Sequence, residues 1–481
     1  MARLPLEGIR IIDPTYVFAL PYAGGLLADM GAEVIKVEGP GRPDVTRTGG
    51  YAGAFPENDR GEDWWNRPST YNLIHRGKQS ITLDMTDSRG RDLFRELIKV
   101  SDVVMENFTP RVMRGWDLDY PNMKKLKPDI IMISNTGYGH GDGPYSSYPA
   151  QATTQEATHG HCWITGYKDQ GPAKAGASFV DFLSTWTALF AIGSALRYRN
   201  KTGQGQWADI GMYQAGVMFM SEYIMDAQVN GRDGGRIGNR HPYRAPQGCY
   251  RALGDDQWIT LSVGDDAGWS ALCVLMGKPE LATDPDYADL LSRQRNHDEI
   301  DEIIQGWTSG IDRYELMHAL QGVGIPAGPV LNSKDIHYDP QYKSRGFLER
   351  VDYPKERNMG SRLFIGRPWK FSNSPLAIQG PSPTFGQHNE DVLQGLLGVD
   401  GETFQGLVDD AVVATVPTTG EASPRIPETE ALERGLIADW DPDYLKNLGL
   451  AQPRLVFLDT LKSPRLSYLR LRLGQGPVAH W

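Results

Sequence analysis

Apolar and polar positions come in short blocks along the first half of the chain. Runs at residues 8–13 (GIRIID), 33–38 (EVIKVE), 80–83 and 102–105 read as buried strands, and periodic stretches at 20–30 and 88–100 read as helices. Strand–helix–strand at this short period predicts a parallel α/β sheet. A further strand at 129–134 runs into a glycine-rich turn at 137–144 (GYGHGDGP), and in open α/β sheets ligands bind at that edge. Residues 39–70 show no period. They are rich in Gly, and Tyr51, Phe55, Trp64 and Trp65 point to an ordered loop that covers something.

Residues 179–196 form the most apolar stretch, with Phe179, Val180, Phe182, Leu183, Trp186, Leu189, Phe190, Ile192 and Leu196 falling on every face of a helix. That pattern predicts a helix buried all round. Its acid, Asp181, lies in the first turn. Ser178 and Asp181 have the spacing of a capping box, which makes Asp181 a structural residue stabilised by the helix dipole. The same position suits a nucleophile: a helix N-terminus keeps a carboxylate ionised, and backbone N–H groups of the preceding glycine loop can hold a developing oxyanion. The pattern alone leaves both readings open.

After this helix, 206–210 reads as a strand and 213–228 as a buried helix, followed by a loop dense in Gly and Arg at 231–246. Antiparallel strands within 248–263 and helical segments to 323 predict a smaller α+β domain. Strand and turn chemistry returns at 346–386, before an apolar helix at 391–397. From residue 401 the composition shifts to Pro, Thr, Glu and Ser, as in a linker or partly disordered extension. The expected division is a large α/β domain starting at 1–225, a linker and small domain at 226–339, a return to the large domain at 340–398, and an extension at 399–481 dispensable for chemistry.

The 481 residues suffice for two or three cores, and 40% hydrophobic with 23% charged residues is ordinary globular composition. A net charge of −11 argues against nucleic acid or an anionic membrane as partner. No spanning run or signal peptide is read, and the scattered Cys162, Cys249 and Cys273 suggest a reducing cytoplasm. Glu38 sits where a dinucleotide fold places its ribose-binding acid, but residues 14–19 (PTYVFA) lack the glycine fingerprint, so the NAD reading is weak.

The opening LEGIRIIDPTYVFALPYAGGLLADMGAEVIKVEGPG, with GKQSITLDM (77–85), ENFTPRVM (106–113), TGYGHGDGP (136–144), GQGQWADIGMYQA (203–215) and GNRHPYRAPQGCY (238–250), resembles the class III CoA-transferases over about residues 1–398. That family includes formyl-CoA:oxalate and carnitine CoA-transferases and α-methylacyl-CoA racemases. The resemblance implies a Rossmann-like large domain, a smaller α+β domain and a ring-like interlocked dimer, either a homodimer or a heteromer with a related subunit. It implies Asp181 as nucleophile, forming an acyl anhydride and then an enzyme-CoA thioester. Coenzyme A and acyl-CoA act as substrates, with no permanently bound cofactor and no metal.

For CoA binding the resemblance points to Tyr16, Val17, Ala19, Leu83, Asn107 and Phe108, with Arg111 or Arg114 on the phosphates. The substrate pocket is expected from Phe18, Gly137, Tyr138, Gly139 and His140. The racemases need a His where this chain has Gln151, which disfavours that activity, and the formyl-CoA transferases' first-turn glutamine is here Phe18. Phe18 and the Trp64–Trp65 loop suggest a larger or more apolar acid than oxalate. The expected activity is CoA transfer from an acyl-CoA, such as succinyl-CoA, to a carboxylic acid. Racemization or isomerization, and a non-catalytic CoA-binding subunit, are the alternatives.

Overall fold

The structure, a computed structural model, describes residues 3–48, 54–176 and 179–450. Two compact units divide it, residues 1–440 and 441–481. Of the second, only 441–450 are described, with one short helix, Tyr444–Asn447.

Six parallel strands form the main sheet: β1 (Arg10–Asp13), β2 (Glu33–Glu38), β3 (Gln79–Thr82), β4 (Val103–Glu106), β5 (Ile131–Thr136) and β6 (Trp207–Gly211), in spatial order β3-β2-β1-β4-β5-β6. β1, β2, β4 and β5 are short runs buried on both faces, as a parallel sheet covered by helices demands, while the edge strand β6 is only partly buried. Ile12, Ile35 and Val104 face one core, shared with Phe94 and Leu97 of the helix Ser88–Lys99. Ile11, Val34, Val103 and Ile133 face the other, shared with the first helix, Ala19–Asp29, and the central helix, Phe179–Thr202. This is the Rossmann-like large domain expected from the sequence. The strand order reverses between β1 and β4, and it is there, beyond the strands' C-terminal ends, that such sheets open a crevice.

A smaller antiparallel sheet follows: β7 (Gln247–Arg251), β8 (Trp258–Ser262) and β9 (Ala327–Pro329), in that order. Its own core includes Trp269, Leu272, Ile300 and Leu316. A hairpin, β10 (Leu348–Asp352) with β11 (Ser361–Ile365), precedes the return to the large domain.

Three expectations are corrected. The central helix is not buried all round: Val180, Asp181, Ser184, Thr185, Ala188, Ile192, Ala195 and Leu196 are buried, while Phe190 is 77% exposed. Small and polar side chains together with Val180, Ile192 and Leu196 form its buried stripe, while Phe182 and Trp186 are only partly buried. It is also the one helix among the described residues long and apolar enough to cross a membrane, yet it packs on the sheet. The second correction concerns 213–228. It breaks into Met212–Val217, a 3-10 turn and Ser221–Asn230, and no residue of the last helix is buried.

The third concerns the extension after residue 398, which does not begin as an appendage. The helix Gly401–Asp409 places Phe404 and Leu407 in the first core, and Val412 and Val413 join them. The Asp84 N–H donates to the Val412 carbonyl (2.9 Å), the Ala414 N–H to the Thr82 hydroxyl (2.8 Å), and Asn58 to the Ile426 carbonyl (2.9 Å). A polar composition concealed these few apolar anchors, and a chain cut after residue 398 would lose them.

Candidate functional site

The first turn, residues 14–18, leaves β1 at the switch point and is held by hydrogen bonds from beneath and from the side. The Asn107 carboxamide, just past β4, accepts from the Tyr16 N–H (2.9 Å) and donates to the Tyr16 carbonyl (2.7 Å). Lys36 of β2 donates to the Thr15 carbonyl. Val17 stands at φ +72°, a left-handed conformation that costs a β-branched residue energy, and its N–H donates to Asp44 (3.3 Å).

A buried ionic cluster underlies this turn. Asp13 pairs with Lys78 (2.6 Å), Asp44 with Lys36 (3.2 Å) and Glu38 with Arg47 (2.7 Å), all with fully buried side chains. Burial would raise the Asp13 carboxyl, but Lys78 and Lys36 hold it below its ordinary value. Burial pulls Lys78 down to about 8 despite Asp13. Burial, with Lys78 and Lys36, likewise drives His75 well below the usual histidine value. Because Arg47 occupies both oxygens of Glu38, that acid is not presented to a ribose.

Above the turn lies a cleft of about 340 Å³ lined by Val17, Phe18 and Ala19 of the first turn, Asn107 and Phe108 after β4, Gly137 after β5, and Asp181. Asp181 is 6% exposed and sits in the first turn of the central helix. The Thr185 hydroxyl donates to the Ala19 carbonyl (2.7 Å), tying that helix to the first one. Phe18 packs edge-on against Phe182 (5.0 Å between ring centres). Gly137 is a close approach: a Cβ there would stand 2.2 Å from that of Ala150, on the same wall.

Seven of the fourteen residues singled out from the sequence therefore line one cleft. Tyr16 supports it from behind, its hydroxyl donating to the Arg42 carbonyl (2.7 Å) and burial pushing its pKa up. Leu83 does not reach the cleft, being fully buried in the first core. Arg111 and Arg114 are both exposed on the short helix Arg111–Gly115, directly after the cleft residues Phe108, Thr109 and Pro110.

The glycine turn after β5 behaves differently from expectation beyond Gly137. Tyr138 joins rings with Tyr145, Tyr148 and Tyr213. Gly139 takes a positive φ, and its N–H donates to the Thr136 hydroxyl (2.9 Å). His140 lies between Asp209 (Nδ1, 3.0 Å) and Glu106 (Nε2, 3.7 Å), with its ring against Trp207. None of these three lines the cleft. Their side chains and backbone groups are engaged within the protein instead.

Cleft residues the sequence reading did not single out include Val45, Asn135, Thr136, Ser146, Tyr148 and Met212. Asn135 and Thr136 end β5, and that position at a strand's C-terminal edge is the signal that would have found them. Trp64 and Trp65 lie outside the lining; Trp64 stacks edge-on with Trp65, and the Trp65 carbonyl accepts from Arg47 (3.1 Å). Ser178 of the expected capping box, and Tyr51, lie outside the described residues. Gln151 lines the same cleft as Asp181 and caps the helix Ala152–Thr158. All three cysteines are free thiols, and no cluster of metal-ligating side chains occurs among the described residues.

Comparison with known proteins agrees with this geometry. Residues 6–389 match CoA-transferase family III. The succinyl-CoA–D-citramalate CoA-transferase of Chloroflexus aurantiacus is 34% identical over 399 residues, 82% of this chain and 94% of that one. The succinate–glutarate CoA-transferase of Agrobacterium fabrum is 34% identical over 393 residues, 82% of this chain and 96% of that one. A CAIB/BAIF family protein from Brucella suis has a solved structure that superposes with a TM-score of 0.72 at 31% identity, over 82% of this chain and 100% of the other. With the crevice at the switch point, a buried acid opening on it and these relatives spanning nearly their full lengths, the chain belongs to CoA-transferase family III.

Proposed function

We propose that the chain moves CoA from an acyl-CoA, with succinyl-CoA as a donor, to a carboxylic acid through covalent intermediates on Asp181. The observation that carries this reading is Asp181 itself, an acid at a helix N-terminus on the wall of the switch-point cleft. Its carboxylate attacks the thioester carbonyl carbon, and the C–S electron pair leaves on sulfur, giving a mixed anhydride and CoA thiolate. The thiolate then attacks the aspartyl carbonyl and releases the donor acid, leaving CoA as a thioester on Asp181. The acceptor carboxylate attacks that thioester, and the departing thiolate attacks the acceptor's carbonyl, which frees acceptor acyl-CoA and restores Asp181.

Tyr16, Val17, Ala19, Asn107 and Phe108 are the proposed contacts for CoA, with Arg111 or Arg114 on its phosphates. Phe18 and Gly137 border the acyl group. A racemase needs a second acid/base group across the substrate, and the residue at that position is Gln151, whose amide neither gives nor takes a proton near neutral pH. The names of the relatives favour succinyl-CoA as donor.

The test is incubation with succinyl-CoA and hydroxylamine, followed by peptide mass spectrometry. A hydroxamate on the Asp181 peptide is expected, and active enzyme that never modifies that peptide overturns the covalent route. Repeating the incubation in deuterated water separates the alternatives, since only the racemase exchanges the α-proton.

The active form is proposed to be a dimer. Phe190, Met218, Phe219, Met225 and Val229 are all more than half exposed on the single chain, an apolar surface suited to burial against a second subunit. Sedimentation showing a stable, active monomer would refute this.

A further inference from the structure

The acid nearest in role to Asp181 is one the mechanism does not use. Glu156 lies in the helix Ala152–Thr158, whose first residue, Ala152, and preceding Gln151 line the cleft. Its side chain is directed away from solvent, and the residue is 1% exposed. One carboxylate oxygen, Oε1, accepts from the N–H of Phe179, the first residue of the central helix (3.0 Å). The other, Oε2, accepts from the N–H of Ala175, four residues earlier in the incoming loop (3.3 Å). The two bonds bridge the chain where it enters the helix, and Asp181 follows two residues after Phe179.

An acid at this place is stabilised by the orphan N–H groups and the positive end of the helix dipole. A single carboxylate that holds two backbone donors also fixes the direction in which the helix starts. The direction matters because nucleophilic attack depends on alignment to within a fraction of an ångström. The clamp also occupies two N–H groups of the loop, so Ala175 and Phe179 are not donors for an oxyanion.

We propose that Glu156 is a positioning residue: its carboxylate clamps the entry to the central helix and thereby sets the line along which Asp181 meets the thioester. This rests on Asp181 being the nucleophile. Glu156 touches neither CoA nor the acyl group, so its loss slows acylation and leaves CoA binding in place.

The test compares wild type, E156Q, E156D and D181N with succinyl-CoA as donor, reading CoA affinity by calorimetry, thermal melting, and the single-turnover rate of Asp181 modification trapped by hydroxylamine. Gln keeps the shape but turns an N–H donor toward a backbone donor, and Asp keeps the charge but withdraws the oxygens. Both variants are expected to acylate about 10–100-fold more slowly, with CoA affinity within about twofold of wild type. Acylation at the wild-type rate per folded molecule in E156Q, whatever its melting temperature, overturns the proposal, because a purely structural carboxylate changes only stability. Wild-type acylation in E156D alone also overturns it, since charge and not placement would then be what counts. If D181N acylates normally, the covalent reading fails. If D181N is inert while E156Q is unaffected, only the role of Glu156 fails.

Discussion

Two regions of the large domain bury acidic side chains and satisfy them in opposite ways. Beneath the first turn, Asp13, Asp44 and Glu38 each face a cation, respectively Lys78, Lys36 and Arg47. At the start of the central helix, Glu156 is met by backbone N–H groups, and Asp181 borders the cleft. An ion pair out of water fixes geometry and makes the acid unreactive, since its lone pairs are committed to the cation. The two backbone donors satisfy Glu156 without a cation and tie it to the entry of the helix that carries Asp181. The first arrangement builds a rigid floor under a strained turn; the second fixes the start of the helix that borders the cleft.

The comparison is broken most sharply at Asp181. D181N keeps the size of the side chain, so turnover should fall by about 10⁴-fold or more, beyond the ~10²–10³-fold of a lost oxyanion donor, with melting little changed. Steady-state kinetics beside a melting curve checks this, and near-normal turnover by the folded variant would end the covalent mechanism.

Under the first turn the opposite signature is expected. E38Q leaves Arg47 buried without its carboxylate and should cost about 3–5 kcal/mol in denaturant unfolding. Turnover of the molecules that remain folded should stay close to wild type. A large loss of turnover at unchanged stability would place Glu38 in the chemistry.

The same cluster sets an acid limit. His75 is fully buried, 3.6 Å from Asp44 and 3.0 Å from Lys78 Nζ, and its folded pKa lies well below 6.5. Below about pH 6.5 the unfolded chain therefore binds a proton that the folded chain refuses, so stability falls with falling pH. Asp13 and Glu38, both held below their ordinary values, extend the loss into the carboxylate range. Unfolding free energies from pH 7 to 5 should show the fall, and H75N should flatten it between pH 6.5 and 5. An unchanged slope in H75N would assign it to other groups.

The smallest effect is expected at His140, held between Asp209 and Glu106 outside the cleft lining. H140A should change kcat/KM by less than about tenfold, under ~1.4 kcal/mol. A larger loss would bring the far part of the glycine turn back into the site.

Much of this architecture was legible in the chain. Strands such as EVIKVE, at Glu33–Glu38, were placed to the residue because a run buried on both faces has little competition from other structures. The turn at residues 14–19 and Asn107-Phe108 were legible as site elements through their motifs. His140 and Tyr138 lie outside the cleft lining because proximity in sequence to Gly137 says nothing about where a side chain finds partners, here Asp209 and three tyrosines. Leu83 lies off the cleft for the same reason, its backbone following β3 while its side chain packs into the core. The anchors Phe404, Leu407, Val412 and Val413 were hidden in a polar stretch, where only tertiary contact distinguishes a buried apolar residue from an exposed one.

By itself the sequence determined the parallel α/β alternation, the family and the acid at the head of the apolar helix, because hydrophobic period, turn chemistry and collinear motifs are local properties of the chain. Only the tertiary structure decided that the strand order reverses between β1 and β4, that Asp181 and Gln151 border one cleft, and that Glu156 clamps the entry to the central helix. These are contacts between residues 19 to 92 positions apart. Their existence depends on how whole elements pack, and no local pattern encodes that distance.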